Sequence, residues 1–425
     1  MWCCRRVLLQ PSRNLAQLLK VPHEPSTTAV QSRLFSALDS SSQAFGRRFR
    51  FRSLPQYDSR RCLHPALLLV VQKLAKGLAL VTGRSIRNWW RTLPPGKREY
   101  FQQRIRENRK KIAVGAAASA ALAGGYYVSH LQPTPITGRT RFIVFTQDQI
   151  LKLMEADLEK SLHSLKAVSY PTGHPFVGRV TTVARRLLNA NIDLDEVHSK
   201  QWTISVLDSP EKNAQVLPNG HIFVNRGMLM FCDTDDELGC VLAHEMAHAL
   251  LNHAAEQLSH AHLLDLLGIV VVAAIWAVLP TDVFASLIHW LFNRSTALIS
   301  QLPHSRLLEA EADAVGLELA AKACFDVRSS SAFWAKMSLV HELGYEPEIP
   351  EFLSTHPSHD SRSRDLDDKM PQAIMRRVEC RCPPLPRIDP RMSLEAFRLQ
   401  VTAAKKLHER TMADQQHAVR IVIPR

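Results

Sequence analysis

The pattern of the chain is most distinctive at Ile112–Val128, an uncharged run of 17 consecutive apolar or small residues. As a helix this stretch would be about 26 Å long, just enough to cross the hydrocarbon core of a bilayer. Seven lysines and arginines lie between residues 97 and 111, and two tyrosines lie near its end, as is typical of membrane flanks. The pattern predicts one transmembrane helix over residues 112–130. The alternative is a buried helix rich in alanine.

Small residues recur at every fourth position of this predicted helix, for example at Gly115, Ser119 and Ala123. Such spacing lets two helices approach closely in lipid, so it predicts a homo-oligomer formed through the span. Plain composition explains the spacing equally well, because nearly every residue of the stretch is small. Membrane lipid is a predicted partner in either case.

A second apolar run, Leu266–Leu279, is 14 residues long, and Val283–Phe292 follows it closely. Fourteen residues are shorter than a span usually requires. Three alternatives therefore stay open for this region, namely a core helix, a re-entrant segment and an interfacial segment. Nearer the N-terminus, Leu67–Val81 is apolar with two lysines inside it, which favours an amphipathic helix at a surface.

Periodicity predicts the elements of the remaining chain. Helical patterns cover residues 150–165, 176–188, 305–323 and 394–416, and strand patterns cover residues 202–207 and 221–224. Thr234-x-x-Glu237 is a capping box that opens a further helix, from Leu238 to about Ala254. We predict an α+β, mostly helical domain over residues 140–370, followed by a C-terminal helical extension over residues 371–425.

The net charge of +13 is concentrated near the N-terminus. Residues 1–111 hold 23 basic and 5 acidic side chains, a balance of +18, whereas the other 314 residues hold 30 and 35, a balance of −5. A nucleic-acid-binding protein would carry its positive charge on the folded domain. Nucleic acid is therefore not an expected partner.

The first 23 residues contain no Asp or Glu and carry four basic residues among leucine and valine. This composition is typical of a mitochondrial transit peptide, and a disordered basic tail is the alternative. We predict a transit peptide and basic linker over residues 1–90, and a basic flank over residues 91–111 that stays in the matrix. The chain would then be a single-pass protein of the mitochondrial inner membrane, with everything after Val128 facing the intermembrane space.

The sequence His244-Glu245-Met246-Ala247-His248 lies in the middle of the helix that follows Thr234. Histidines four residues apart lie on one helix face, so both imidazoles can reach one tetrahedral zinc ion. Glu245 lies beside the first ligand, where its carboxylate can take a proton from water at the metal. Two hydrogen-bonded core histidines are the alternative. The motif predicts one catalytic Zn²⁺ per subunit.

A catalytic zinc site takes three protein ligands and keeps one position open. A third histidine ten residues after the first is excluded because that residue is Ala254, and His253 is expected to be structural or at the surface. Glu309 and Asp313 lie four residues apart on one helix face, whereas Glu311 is turned away by about 200°. We therefore predict Glu309 as the third ligand and Asp313 as the acceptor for the N–H of a ligand histidine.

Eight cysteines in 425 residues do not make a disulfide framework, and no C-x-x-C pair indicates a structural zinc site. Cys380 and Cys382 lie in a proline-bounded turn, and Cys324 follows the predicted ligand helix. In the intermembrane space a redox-sensitive disulfide could join Cys324 to Cys380 or Cys382. Three unrelated free thiols are the alternative, since connectivity cannot be read from sequence.

The metal motif and three further segments resemble the HtpX-like and CaaX-prenyl-protease family of gluzincin zinc peptidases. The H-E-x-x-H and E-x-x-x-D sequences begin 65 residues apart (309 − 244). Asn213-Ala214 with residues 217–222 is similar to the family's edge strand, and residues 225–229 are similar to the turn after that strand. Residues 354–357 with Arg362 are similar to the family's H-P-to-Arg motif. The resemblance covers roughly residues 140–370, and residues 263–292 correspond to the family's hydrophobic insertion.

This resemblance implies a gluzincin-type zinc peptidase domain with a small edge β-sheet. It implies that His356 helps catalysis as a donor to the developing oxyanion, and that Arg362 either shares this task or holds Asp313. It also implies an edge strand that holds an extended substrate through backbone pairing, with the residues Asn213, Ala214, Leu217 and Gly220.

Within the family, a transit peptide followed by one span resembles a mitochondrial inner-membrane stress peptidase whose activity overlaps that of the m-AAA protease. This resemblance implies cleavage of membrane-tethered proteins in quality control, including a dynamin-like fusion GTPase. The alternative from a different functional class is an inactive membrane scaffold that keeps the fold without the hydrolysis. The presence of every expected zinc and base residue favours the peptidase.

Overall fold

The computed structural model describes residues 65–153, 168–296, 302–342, 356 and 362–420. The part of the predicted transit peptide before residue 65, and the immediate neighbours of His356 in its motif, lie outside the described residues. The described part is mostly helical and has two small β-sheets, which confirms the predicted class.

Three helices open the described chain, namely α1 (Pro65–Thr92), α2 (Pro95–Glu107) and α3 (Arg109–Ser129). A proline begins each of the first two, where its fixed φ and missing N–H suit the first helical turn. The predicted linker up to residue 90 therefore contains most of a 28-residue helix. The predicted transmembrane segment, residues 112–130, lies within α3 except for its last residue, His130, which caps the helix.

A β-hairpin follows α3, with β1 (Leu131–Pro133) antiparallel to β2 (Thr140–Phe142). The larger sheet consists of β3 (Thr203–Leu207), β4 (Ala214–Val216) and β5 (His221–Asn225). Its order is β3-β5-β4, with β3 parallel and β4 antiparallel to β5. β4 therefore forms one edge of this sheet.

Further helices are α4 (Pro175–Ala190), α5 (Asp195–His198), α6 (Arg226–Phe231), α7 (Asp235–Leu250), α8 (His253–Val278), α9 (Asp282–Thr296), α10 (Leu302–Lys322), α11 (Arg328–Glu342), α12 (Arg362–Glu379) and α13 (Leu394–Arg420), with a short 3₁₀ helix at Pro390–Ser393. Residues 147–153 are also helical, and the rest of the helix predicted over residues 150–165 lies outside the described residues. The central one is α7, which packs against α4, α10, α11 and β4. Thirteen of its 16 residues are buried, so it forms the middle of the main hydrophobic core.

The end of α7 differs from the prediction. The sequence pattern predicted one helix to about Ala254, but α7 ends at Leu250 and α8 begins at His253. Asn252 lies between them with a left-handed φ of 58°, a conformation that asparagine tolerates better than most side chains. This residue breaks the helix and turns the chain, so residues 253 and 254 belong to a new helix with a different axis.

The second apolar run forms part of α8, whose 26 residues make it much longer than the run of 14 that we noted. Among the described residues, α3 and α8 are the helices that are long and apolar enough to cross a membrane. In the apolar window of α8 22% of the residues are buried, and in that of α3 none is. The sequence predicted one such helix, and the structure has two.

α1 packs along α8 over most of its length. Successive contacts join Gln72 to His262, Lys76 to Asp265 and Arg87 to the carbonyl oxygen of Leu279. Because the residue numbers of the contact partners increase in the same direction along both helices, α1 and α8 are parallel. Gly83 is buried in this interface, where an added Cβ would lie 2.5 Å from the carbonyl oxygen of Ala273.

A disulfide joins Cys324, just after α10, to Cys382, just after α12. Cys380 is free and exposed, so of the alternatives that the sequence left open, the structure contains the link to Cys382. Cys324 has a left-handed φ of 64° and ends the turn that follows α10. The bond thus ties the helix that carries Glu309 to the C-terminal part of the described chain.

Candidate active site

The helix that carries the metal motif, α7, is fixed at its N-terminus by capping hydrogen bonds. The Thr234 hydroxyl accepts a hydrogen bond from the Glu237 amide (3.2 Å), and the Glu237 carboxylate accepts from the Asp233 amide (2.8 Å). Two backbone N–H groups that have no partner within the helix are satisfied in this way. The anchored helix then carries His244, Glu245 and His248 into the core.

α10 crosses α7 at the first metal-motif histidine, and a glycine makes this approach possible. A Cβ on Gly316 would lie 2.8 Å from the Cα and 2.9 Å from the backbone nitrogen of His244. Such distances are shorter than van der Waals contact, so any side chain there would push the two helices apart. The close crossing brings Glu309 and Asp313 to the histidines.

Four side chains converge on one point, namely His244, His248, Glu309 and His356. The Nε2 atoms of His244 and His248 are 3.2 Å apart, and they lie 3.4 and 3.5 Å from the Glu309 carboxylate oxygens. Tetrahedral zinc with bonds of 2.0–2.1 Å separates neighbouring ligand atoms by about 3.3–3.4 Å. The observed separations therefore fit a zinc ion held by these three residues, which we call the donor cluster.

His244 is fixed by the carboxylate that the sequence predicted for this purpose. Its Nδ1 lies 3.1 Å from Asp313. Burial lowers the pKa of His244 and the nearby Arg362 lowers it further, but the carboxylates of Asp313 and Glu309 outweigh both and raise it to about 9. The pKa of Asp313 is held below its usual range, because its charged partners outweigh its burial. The acceptor beside Nδ1 orients the ring so that Nε2 faces the donor cluster.

Arg362 binds Asp313 with two hydrogen bonds of 2.6 and 2.8 Å, and a third nitrogen lies 3.1 Å from Glu309. Its guanidinium also lies over the ring of Trp334, 3.5 Å from the centroid. The resemblance left two tasks open for Arg362, and these contacts are those of a residue that holds Asp313.

His356 lies between two carboxylates. Its Nδ1 is 3.0 Å from Glu309, and its Nε2 is 3.4 Å from Glu245. Burial raises the pKa of Glu245 above its usual range. A basic carboxylate and an imidazole therefore face the same point, next to the donor cluster.

A cavity of about 210 Å³ opens beside these groups, and its wall includes Glu245, His248 and His356. Val216 of β4 and the following Pro218 also line it, so the edge of the sheet borders the cavity. Of the predicted strand residues, Ala214 lies in β4 and Asn213 and Leu217 flank it, whereas Gly220 lies directly before β5. The Ala214 side chain is buried in the core, so this residue could meet a substrate only through its backbone.

Sequence reasoning missed the environment of His253. This residue is buried, and its Nδ1 lies 2.9 Å from the Nδ1 of His248. Its Nε2 lies 3.3 Å from Glu311, the residue that we had placed on the far side of α10. Burial lowers the pKa of His248 to about 3, which keeps its imidazole neutral. No spacing rule indicated His253, because its position depends on the helix break at Asn252.

The fold and this site define a metalloendopeptidase domain, in which a helix with the H-E-x-x-H sequence meets a glutamate from a second helix. The sequence profile of peptidase family M48 matches residues 178–370, a range that contains every residue of the donor cluster. The chain belongs to peptidase family M48, which uses zinc, and it resembles the mitochondrial metalloendopeptidases of that family.

Three of its relatives are named mitochondrial metalloendopeptidase OMA1. The protein from Bos taurus is 41% identical over 328 residues, which cover 77% of this chain and 63% of that protein. The protein from Homo sapiens is 40% identical over 86% of this chain and 69% of its own length. The protein from Danio rerio is 41% identical over 84% of this chain and 75% of its own length. The chain thus matches about two thirds of the length of these relatives.

Proposed function

We propose that this chain is a zinc-dependent endopeptidase of the mitochondrial inner membrane, with its catalytic domain in the intermembrane space. The observation that carries the proposal is the convergence of His244, His248 and Glu309 at separations that fit zinc, with Glu245 beside them. The basic flank before α3 and the mitochondrial relatives support the location.

In this mechanism His244, His248 and Glu309 would hold the metal, which when bound would supply Lewis-acid activation of a water molecule and of the scissile carbonyl. Glu245 accepts the proton of the attacking water, and burial favours this step because it raises the pKa of the carboxylate. The same residue then passes the proton to the leaving amine. His356 donates to the developing oxyanion from its position beside Glu245.

The substrate lies along β4 as an additional strand. Backbone groups at a sheet edge can pair with any extended peptide, so affinity comes from main-chain hydrogen bonds rather than from particular side chains. The cavity bordered by Val216 and Pro218 accepts a residue next to the scissile bond. We therefore propose loose sequence specificity for extended segments.

The proposed substrates are membrane-tethered proteins cleaved in quality control and stress, including a dynamin-like fusion GTPase. Support for this class comes from the resemblance described above and from the two candidate spans, which would hold the site near a membrane surface. Comparison of cleavage products in mitochondria that contain the wild type or a Glu245→Gln variant would identify the substrates.

Glu245→Gln tests the proposed chemistry. The amide has nearly the shape of the carboxylate but cannot accept a proton at neutral pH, so we expect wild-type zinc content and thermal stability with a loss of cleavage of at least 100-fold. Turnover within tenfold of the wild type would rule out Glu245 as the base. A wild-type protein that binds zinc but cleaves nothing would favour the scaffold.

A further inference from the structure

A buried histidine lies behind one of the two ligand histidines and not behind the other. His244 contacts the carboxylate of Asp313 directly, at 3.1 Å. His248 instead contacts His253 at 2.9 Å, and His253 contacts the carboxylate of Glu311 at 3.3 Å. Each ligand histidine is thus connected to an acidic residue of α10. His244 contacts its carboxylate directly, whereas His248 is connected to its carboxylate through the imidazole of His253.

The charge of Glu311 fixes the direction of the hydrogen bond that this carboxylate forms with His253. An ionised carboxylate can only accept, so the Nε2 of His253 must carry the proton. A neutral His253 then has a bare Nδ1, which accepts the Nδ1–H of His248. The remaining nitrogen of His248, Nε2, keeps its lone pair and faces Glu309 and His244. Only this tautomer of His248 can bind a metal through Nε2.

Glu311 is itself held from outside the two metal helices. Thr137 donates a hydrogen bond to it, and Arg139 donates two, of 2.9 and 2.6 Å. Nη1 of Arg139 and the same Nη2 that contacts Glu311 form a two-point contact with the buried Glu256, at 2.9 and 2.7 Å. Thr137 and Arg139 lie in the turn between β1 and β2, directly after α3.

We propose that Arg139, Glu311 and His253 form a relay of positioning residues that holds His248 in its metal-binding tautomer. The inference rests on the proposed zinc site and adds the residues that prepare one of its ligands. It makes zinc affinity depend on the β1–β2 turn, and therefore on the segment that joins α3 to the catalytic domain. Partners of metal ligands typically contribute 10–100-fold to metal affinity.

The first test compares zinc affinity, measured by chelator competition on the full chain, among variants at His253. His253→Leu removes the acceptor, and we expect zinc to bind 10–100-fold more weakly. His253→Asn retains an oxygen near the position of Nδ1, so it should recover most of the affinity. The matched control is His262→Leu, which removes another buried histidine of α8 and should change zinc affinity less than twofold.

Thermal unfolding in excess chelator, together with the cobalt(II) absorption spectrum, separates positioning from folding. If His253→Leu stays folded without metal and its cobalt spectrum changes while that of His262→Leu does not, the relay is supported. Wild-type zinc affinity in His253→Leu would overturn it. So would equal losses in His253→Leu and His253→Asn, because the acceptor would then be irrelevant.

The second test addresses the turn between β1 and β2. Arg139→Met should weaken zinc binding at least fivefold, whereas Arg179→Met, at an arginine that contacts Asp235 and the end of α6, should leave it unchanged. Unchanged affinity in Arg139→Met would remove the turn from the relay. If the wild type fails to bind zinc at all, the proposed function fails. If the wild type binds zinc and the variants bind it equally tightly, the proposed function stands and the relay alone fails.

Discussion

Two glutamates of α10 have different tasks because they lie on different faces of the helix. Glu309 and Glu311 are both buried and both ionised, because hydrogen bonds from their partners outweigh burial and hold the pKa of each carboxyl below its usual range. Glu309 faces the two ligand histidines, and Glu311 faces His253. Their tasks differ because a step of two residues turns a side chain by about 200° around the helix.

Exchanging each glutamate for glutamine separates these tasks. Glu309→Gln removes a charged zinc ligand, so we expect a loss of zinc affinity well beyond that of Glu311→Gln, which removes only a positioning charge. Chelator competition measures both affinities. Equal losses of zinc affinity, or a loss confined to Glu311→Gln, would show that Glu309 is wrongly assigned as the zinc ligand.

At the residue scale, sequence reasoning found those groups whose geometry is set within one helix. His244, Glu245 and His248 follow from one turn of α7, and Glu309 with Asp313 follows from one turn of α10. His253 could not be found in this way. On an uninterrupted helix it would point about 140° away from His248. The left-handed Asn252 returns it to the site.

At the scale of elements, the crossing of α7 and α10 determines whether the ligands meet. Periodicity predicted both helices, but it contains no information about how closely two helices approach. That distance depends on Gly316, whose missing side chain lets the α10 backbone contact the backbone of His244. The same limit applies to the pairing of α1 with α8, because the apolar pattern of α1 indicated a surface helix without indicating its partner.

Gly316→Ala tests the crossing. The added methyl group would lie 2.8 Å from the Cα of His244, so we expect a loss of about 1–3 kcal/mol in unfolding free energy and weaker zinc binding. The matched control is Gly178→Ala on α4, where nothing lies within 4 Å of the added Cβ. This change should stabilise the protein by about 0.5–1 kcal/mol. Denaturant unfolding with and without chelator measures both, and equal effects would show that the crossing tolerates a side chain.

At the scale of the whole molecule, the proposed membrane arrangement rests on charge and apolar length. Seven basic residues between positions 97 and 111 precede the apolar part of α3, and we propose that this flank stays in the matrix. In this proposal the catalytic domain lies on the opposite side. The sequence revealed α3 by its lack of charge, but Glu256 and Asp265 interrupt α8 and shorten the apolar run that periodicity can detect.

Protease added to mitoplasts with an opened outer membrane should therefore degrade the catalytic domain after Val128. An antibody against residues 394–420 detects the loss, and a soluble matrix protein serves as the protected control. Protection of the catalytic domain until detergent is added would show that α3 has the opposite orientation.

The parallel pairing of α1 with α8 has a consequence for maturation. A processing cut within residues 65–92 would remove part of the helix whose Leu80 and Gly83 cover Val272, Ala273 and Trp276. That would leave a buried apolar face of α8 without its partner. We therefore expect the import peptidase to cut before Pro65, so that the mature protein begins earlier than the end of the basic linker. N-terminal sequencing of the mitochondrial protein identifies this first residue, and a start beyond Thr92 would mean that α8 acquires a different neighbour after import.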